Sequence, residues 1–187
     1  KHQNLMAEIN YRCVRENGIR LARRISGGGT VFHDAGNVNF SFLKSIESPQ
    51  EVSFSRFTEP ITGALAGLGV VAGTSGRNDL LAGGKKISGN AEHIFKNRVL
   101  HHGTLLFDAD LTRLGEAIRS PHGHYQSKAV ASHRSPVVNI SEFLSRPMTL
   151  DDFILYLADH LKSVYPGLND YHLTSSEKES IRRLSEQ

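Results

Sequence analysis

The residues best suited to chemistry begin at Arg23-Arg24-Ile25-Ser26-Gly27-Gly28-Gly29-Thr30, where two cations meet a run of glycines. Backbone amides with no side chains beside them approach an anion closely, so this segment can cradle a phosphate or a carboxylate. The same run can serve as a flexible hairpin connection behind solvated arginines, and the adjoining cations favour the cradle. It has neither the GxGxxG spacing of dinucleotide-binding turns nor the GxxxxGK[ST] spacing of P-loops. A second set follows at Gly76-Arg77-Asn78-Asp79 and Lys85-Lys86-Ile87-Ser88-Gly89. Asp79 is a carboxylate that can hold Mg²⁺ against a phosphate, because that ion takes one or two protein carboxylates with phosphate oxygens and water. Of the adjacent lysines only one can face a cleft if the segment is a strand, and on local evidence alone two solvated lysines are the better reading.

Other reactive side chains read as structural on local grounds. His33-Asp34 has the composition of an acid–base dyad, but neighbours on a strand point to opposite faces, so Asp34 is expected to bind backbone amides in the turn Asp34-Ala35-Gly36-Asn37. His101-His102-Gly103 lies in an apolar stretch, and none of the ten histidines shows the HExxH spacing, so these are expected to be packed or hydrogen-bonded rather than zinc ligands. Cys13 has no activating base near it in sequence and reads as a small apolar residue.

Secondary elements must hold these residues in place. Val38, Phe40 and Phe42 alternate with Asn39 and Ser41, the period of a half-buried strand, which sets the triglycine between strands. Phe54, Phe57, Ile61, Leu65 and Leu68 make one helical stripe within Pro49 to Leu68. Strands are expected at Gly69 to Ala72, Lys85 to Ile94 and Val99 to Phe107, with Asn97-Arg98 turning between the last two. Leu150, Phe153, Ile154, Leu157, Leu161 and Val164 predict a helix capped by Thr149, with Asp151 and Asp152 favourable at its positive end. Thr174-Ser175-Ser176-Glu177 has the capping-box spacing of a final short helix through Leu184. Strands and helices come in blocks, which predicts an α+β fold with a mostly antiparallel central sheet flanked by helices.

With 187 residues, 39% apolar and 22% charged, the whole of 1–187 is expected to form a single domain. One cysteine excludes an internal disulfide, and no apolar run reaches the ~20 residues of a membrane span. No secretory signal pattern is present, so a cytoplasmic protein, or a mitochondrial matrix protein in a eukaryote, is expected. The net charge of +3 is concentrated early, in Lys1, Arg12, Arg15, Arg20, Arg23 and Arg24 against Glu8 and Glu16. An acidic partner is implied, but no nucleic-acid motif accompanies the charge and neither nucleic acid nor membrane is expected as a partner.

Taken together, Arg-Arg-Ile-Ser-Gly-Gly-Gly-Thr-Val-Phe-His-Asp at 23 to 34, followed by Gly-Asn-Val-Asn-Phe-Ser-Phe, resembles the signature of the lipoate-protein ligase A family. Gly76-Arg-Asn-Asp-Leu with Lys85-Lys-Ile-Ser-Gly-Asn-Ala, then Leu100-His-His-Gly-Thr-Leu-Leu-Phe-Asp-Ala-Asp-Leu, are similar to its second and third blocks, and Ser127 to Arg134 with Val137 to Ile140 to a looser later one. The resemblance covers most of Lys1 to Ile140. It implies a fold related to biotin ligases and class II aminoacyl-tRNA synthetases. It also implies an ATP-dependent reaction in which lipoic acid becomes lipoyl-AMP and the lipoyl group passes to a lysine of an acceptor, such as an E2 lipoyl domain or the glycine cleavage H protein.

The resemblance makes Lys86 the catalytic lysine, touching the lipoyl carbonyl and the α-phosphate. Arg24, Ser26, Gly27, Gly28, Gly29, Thr30, Val31, Phe32, Asn78, Asp79 and Ser88 would bind ATP or the adenylate, with Asp79 on the Mg²⁺ side. Lys86, His33, His102 and Gly103 would bind lipoate, and Leu105-Leu106-Phe107 would wall the lipoyl chain, although a plain core strand reads the same. Against the family pattern the chain is expected to lack an N-terminal segment, a tryptophan-containing segment and the C-terminal accessory domain, so a separate accessory subunit is an expected partner. The alternative reading is an ATP-independent lipoyl or octanoyl transferase of the same fold. A further alternative is a non-catalytic binder of lipoate or adenylate.

Overall fold

A computed structural model describes residues 4–76, 78–118 and 135–186. Two short helices open it, α1 (Leu5–Glu8) and α2 (Tyr11–Glu16), each begun by an asparagine whose side chain accepts from a backbone amide of the first turn. They are followed by β1 (Asn37–Ser45), α3 (Phe54–Gly67), β2 (Ala72–Thr74), β3 (Asp79–Ala82), β4 (Lys85–Phe95), β5 (Arg98–Leu106), α4 (Leu111–Ala117), α5 (Leu150–Val164) and α6 (Ser175–Ser185). The five strands form one sheet in the order β1-β5-β4-β3-β2, with every adjacent pair antiparallel, which is the expected α+β architecture.

Alternation divides the sheet into two faces with different tasks. On one face Val38, Phe40, Phe42, Leu80, Ile87 and Leu105 pack against Ile61, Ala64 and Leu65 of α3 and Phe153 and Leu157 of α5. Phe107 and Phe153 stack at 4.4 Å at the centre, where truncating the Phe153 ring would cost about 3–5 kcal/mol. The expected stripes thus bury Phe57, Ile61 and Leu65 on α3 and Phe153 and Leu157 on α5, whereas Ile154 and Val164 stay exposed. Thr149 caps α5 by accepting from the Asp152 amide, and Thr174 and Glu177 form the reciprocal capping box of α6.

Several boundaries differ from the sequence reading. Residues 17–36 contain no strand, so the triglycine does not lie between strands but in a long loop that enters β1. The helix expected from Pro49 starts at Phe54, because Pro49–Glu51 forms a separate 3₁₀ turn. Gly69, in the left-handed region at φ 80°, ends that helix, and Val70 turns into the core, so β2 begins at Ala72 instead of Gly69. The β4–β5 turn is Lys96-Asn97 rather than Asn97-Arg98, with Lys96 at φ 53°. The strand β3 was not anticipated, since its four residues between Asp79 and the Gly83-Gly84 turn are too few to show a period.

Candidate active site

The face of the sheet turned away from α3 and α5 carries a row of small and polar residues in register: Asn39 opposite Thr104 opposite Gly89, and Ser41 opposite His102 opposite Ala91. With the 24–33 loop and residues 135–136 they line a cleft of about 910 Å³ that also contains Asp79 and Lys86. Short side chains leave the floor open, and this is where the three sequence blocks converge. A smaller cavity of about 530 Å³ adjoins it, walled by Phe32, Leu106, Leu111, Leu114 and Ile118. Lys86, Gly89, Thr30, Val31 and Thr104 belong to both walls, so Lys86 stands at the junction of the two spaces.

Lys86 is held from both ends. Its N–H donates to the Pro136 carbonyl at 2.8 Å and its carbonyl accepts from the Val138 amide at 3.1 Å, a parallel bridge to Val137 that extends the sheet beyond the end of β5. A β-bulge between Leu80 and Leu81 offsets β4 at this point. The Lys86 ammonium pairs with Asp79 Oδ1 at 2.9 Å, both side chains being largely buried. Gly89 makes room for that pair: a Cβ there would stand 3.0 Å from Lys86 Nζ and 3.1 Å from Cε. Lys85 points to solvent, as the alternation of a strand requires for one of two adjacent lysines.

The glycine loop is folded around Arg24. Its Nε and Nη2 donate to the Gly27 carbonyl at 3.0 and 2.6 Å, and Nη2 also donates to the Gly29 carbonyl at 2.7 Å. Gly28, between them, has φ 94°, a conformation that a side chain would oppose. Ser26 is buried and its Oγ lies 2.5 Å from His102 Nε2, tying the loop to β5. His33 Nδ1 lies 3.0 Å from Asn37 Nδ2; that amide can only donate, so Nδ1 accepts and the proton of the neutral ring sits on Nε2. Asp34 binds the amides of Gly36 at 2.9 Å and Asp110 at 2.7 Å, the structural role expected of it.

Three histidines are held neutral. Burial lowers the pKa of His33, and the Arg24 charge lowers it further against a small opposing effect of Asp34. Burial also lowers that of His102, with Arg24, His101 and His33 acting in the same direction. His101, on the helix side of the sheet, is wholly buried, stacks on Phe57 at 4.9 Å and bonds Glu92 at 2.9 Å; burial outweighs that carboxylate and lowers its pKa too. It is the packed, hydrogen-bonded histidine expected from sequence.

Of the predicted residues, Arg24, Gly28, Gly29, Thr30, Val31, His33, Asn78, Asp79, Lys86, His102 and Gly103 meet around the cleft. Phe32 borders the apolar cavity, while Gly27 lies outside both. Ser88 is wholly buried and faces neither cavity, its hydroxyl accepting from Asn90 Nδ2 at 3.3 Å. Leu105 and Phe107 belong to the core, so only Leu106 of that trio faces a cavity. Arg77, and Ser127 to Arg134 of the later block, lie outside the described residues. The sequence reading missed Asn39, Ser41, Asn90, Thr104 and Pro136, among others. Asn39 and Ser41 were legible as the polar half of the β1 alternation, but nothing in the sequence marks Pro136.

Solved structures share this fold. The chain is similar to lipoate-protein ligase A bound with ATP, at a TM-score of 0.81 and 27% identity over 99% of this chain and 75% of that one. It matches the bi-partite lipoate protein ligase of Thermoplasma acidophilum, described with its E2 lipoyl domain, at 0.81 and 28% over 99% and 73%. The fold is that of a lipoate ligase catalytic unit. In sequence it is 43% identical over 189 residues to lipoate-protein ligase LplJ of Bacillus subtilis (strain 168), covering 100% of this chain and 57% of LplJ. It is 41% identical to lipoate–protein ligase 1 of Staphylococcus aureus (strain Mu50 / ATCC 700699), covering 99% of this chain and 56% of that protein. The family described as "Lipoyl protein ligase A/B catalytic domain" matches residues 1–162, and the chain belongs to that family. It spans little more than half the length of these curated relatives.

Proposed function

We propose that this chain carries the adenylate-forming site of an ATP-dependent lipoate-protein ligase. The observation that carries the reading is Lys86, whose ammonium stands where the polar cleft meets the apolar cavity. A reaction joining a long acyl chain to a nucleotide needs one cation at the point of union, touching both the carboxyl group and the phosphate, and two spaces leading away from it. Lipoate's carboxylate oxygen attacks the α-phosphorus of ATP and the bond to pyrophosphate breaks. The acceptor's lysine nitrogen then attacks the lipoyl carbonyl, AMP leaves, and the amine's proton goes to solvent. Lys86 favours the first step by balancing charge that builds on the phosphate, and the backbone of Gly29 to Phe32 lines the nucleotide. The family resemblance gives His33, His102 and Gly103 to lipoate; they line the polar cleft with Lys86, which puts lipoate's carboxylate end there.

Asp79 offers a single carboxylate, and among the described residues no group of three or more His, Cys, Asp or Glu is arranged to hold a metal. That suits Mg²⁺ arriving with the phosphates of ATP, its shell completed by phosphate oxygens and water. The acceptors are lipoyl domains of E2 subunits and the H protein, reached with or without an accessory subunit, in the cytoplasm or a mitochondrial matrix. No described helix is long and apolar enough to cross a membrane. Transfer through a cysteine is disfavoured, because Cys13 lies on α2 and lines neither cavity.

The test is incubation with lipoic acid, Mg²⁺ and ATP, with and without a lipoyl-domain acceptor, following pyrophosphate and acceptor mass. Lipoylation that needs ATP and falls about a hundredfold in Lys86→Ala is expected. Adenylate without transfer would point to a partner subunit. Transfer from supplied lipoyl-AMP with no reaction from ATP would replace the ligase reading by the transferase one.

A further inference from the structure

The ion pair of Lys86 and Asp79 is set by a neighbour on β4. Asp79 follows Asn78, which sits in the left-handed region at φ 71°, a conformation that asparagine adopts more readily than other side-chain-bearing residues and that neighbouring bonds fix here. One residue of β4 holds this corner by its side chain, beside the Ser75 N–H, which donates to the Asp79 carbonyl at 2.8 Å. Asn90 donates to the Asn78 carbonyl twice, from Nδ2 at 3.0 Å and from its own backbone N–H at 3.2 Å. Its Nδ2 also donates to Ser88 Oγ at 3.3 Å. Asn90 alternates along β4 with Gly89 and Ala91 of the cleft floor and itself borders the cleft beside Gly103. There it is packed over Gly103, and a Cβ at Gly103 would collide with Asn90 Oδ1.

We infer that Asn90 is a positioning residue: by clamping the Asn78 carbonyl it fixes the corner from which Asp79 reaches Lys86, and through Asp79 it holds the ammonium over Gly89. It touches neither reacting group. Without the Nδ2 bond the corner is left to backbone bonds, among them Asn90 N–H to the Asn78 carbonyl at 3.2 Å and Ser75 N–H to the Asp79 carbonyl at 2.8 Å, and Asn78 can shift out of the left-handed region, carrying the Asp79 carboxylate away. Lys86 then loses its partner at the junction of the two cavities. The Ser88 hydroxyl and Gly103 belong to the same device, one accepting from the clamp and the other giving it space.

The part of this inference that concerns catalysis rests on the proposed adenylate-forming reaction; the part that concerns Lys86 does not, and the experiment separates them. Lys86 labelling by an amine-acetylating reagent, located by peptide mass spectrometry, is followed in the whole chain, in Asn90→Ala, in Asp79→Ala and in the double variant. Asn90→Asp, equal in size but without the donor, is the companion in case the alanine variant melts early. Labelling of Lys86 is expected to rise severalfold in Asn90→Ala, Asn90→Asp and Asp79→Ala alike, and no further in the double variant, while other lysines are unchanged. In parallel, Asn90→Ala is expected to lower kcat for lipoate-dependent pyrophosphate release about tenfold with KM for ATP nearly unchanged, and to have no further effect once Asp79 is alanine. Unaltered Lys86 labelling in folded Asn90 variants, or equal losses with and without Asp79, would overturn the inference. A wild-type chain that releases no pyrophosphate would sink the ligase reading and leave the labelling result to decide this one.

Discussion

The Lys86 ammonium lies 2.9 Å from Asp79 Oδ1, directly above the bare α-carbon of Gly89. The bulge in β4, the left-handed Asn78 and the missing Cβ of Gly89 all serve that one contact. Gly89→Ala would press a methyl against the lysine at 3.0 Å. We expect kcat to fall at least about tenfold and Tm to change little, because the disturbance falls on the end of a side chain and not on the core. Steady-state pyrophosphate release beside calorimetry checks this, and a full-speed Gly89→Ala enzyme would contradict it.

The three glycines of the loop are not equivalent. Gly27 has open space around its α-carbon, whereas Gly28 has φ 94° and lies 2.8 Å from Arg24 Nη2 at the point where a Cβ would be. Gly27→Ala should leave activity within about twofold. Gly28→Ala should cost roughly 1–3 kcal/mol of local strain and loosen the loop. Side-by-side kinetics and protease digestion of the loop discriminate the two substitutions.

Arg24→Lys keeps the charge and removes the fork that grips the Gly27 and Gly29 carbonyls. A lysine reaches at most part of this geometry. Hydrogen exchange at the amides of residues 26 to 30 should accelerate severalfold, and KM for ATP and lipoate should rise. Unchanged exchange would mean that the arginine does not hold the loop.

The pH dependence follows from His33, His101 and His102, all held neutral by burial and so lowered from the ordinary 6.5. The unfolded chain binds protons at these rings that the folded chain refuses. Their stability is therefore fully present above about pH 6.5 and is lost as pH falls below it. Urea midpoints should drop between pH 7 and 5.5, and His101→Phe, which cannot be protonated, should flatten part of that slope. A midpoint that rises on acidification would contradict the assignment.

What the sequence disclosed depended on how local the cause was. Helix α6 could be read because Thr174 and Glu177 are three residues apart and satisfy each other's backbone. Strand β1 could be read because its Phe residues alternate with Asn39 and Ser41. The extended loop of 17–36 was misjudged as bordered by strands, since its shape is imposed by Arg24 turning back on its own chain and by Ser26 reaching His102 on β5. Within the candidate site, the resemblance brought Arg24, Asp79, Lys86 and His102 to one place, but assigned Ser88 to the ligand when alternation and the bulge bury it. The clamp on Asn78 was invisible for the same reason: a carbonyl held by a side chain twelve residues away leaves no periodic trace.

The bridge from Lys86 to Val137 also bears on the order in which the molecule is completed. Both backbone groups of the lysine bond to residues 136 and 138, far later in the chain than β3, β4 and β5, which pair among themselves. During synthesis the hairpins can therefore close while this lysine's amide still faces water, and its setting waits until residue 138 has left the ribosome. Loop-closure cost falls on that final bridge rather than on the hairpins. The pairing of β3, β4 and β5 thus needs nothing from residues 136–138, whereas the anchoring of Lys86 does.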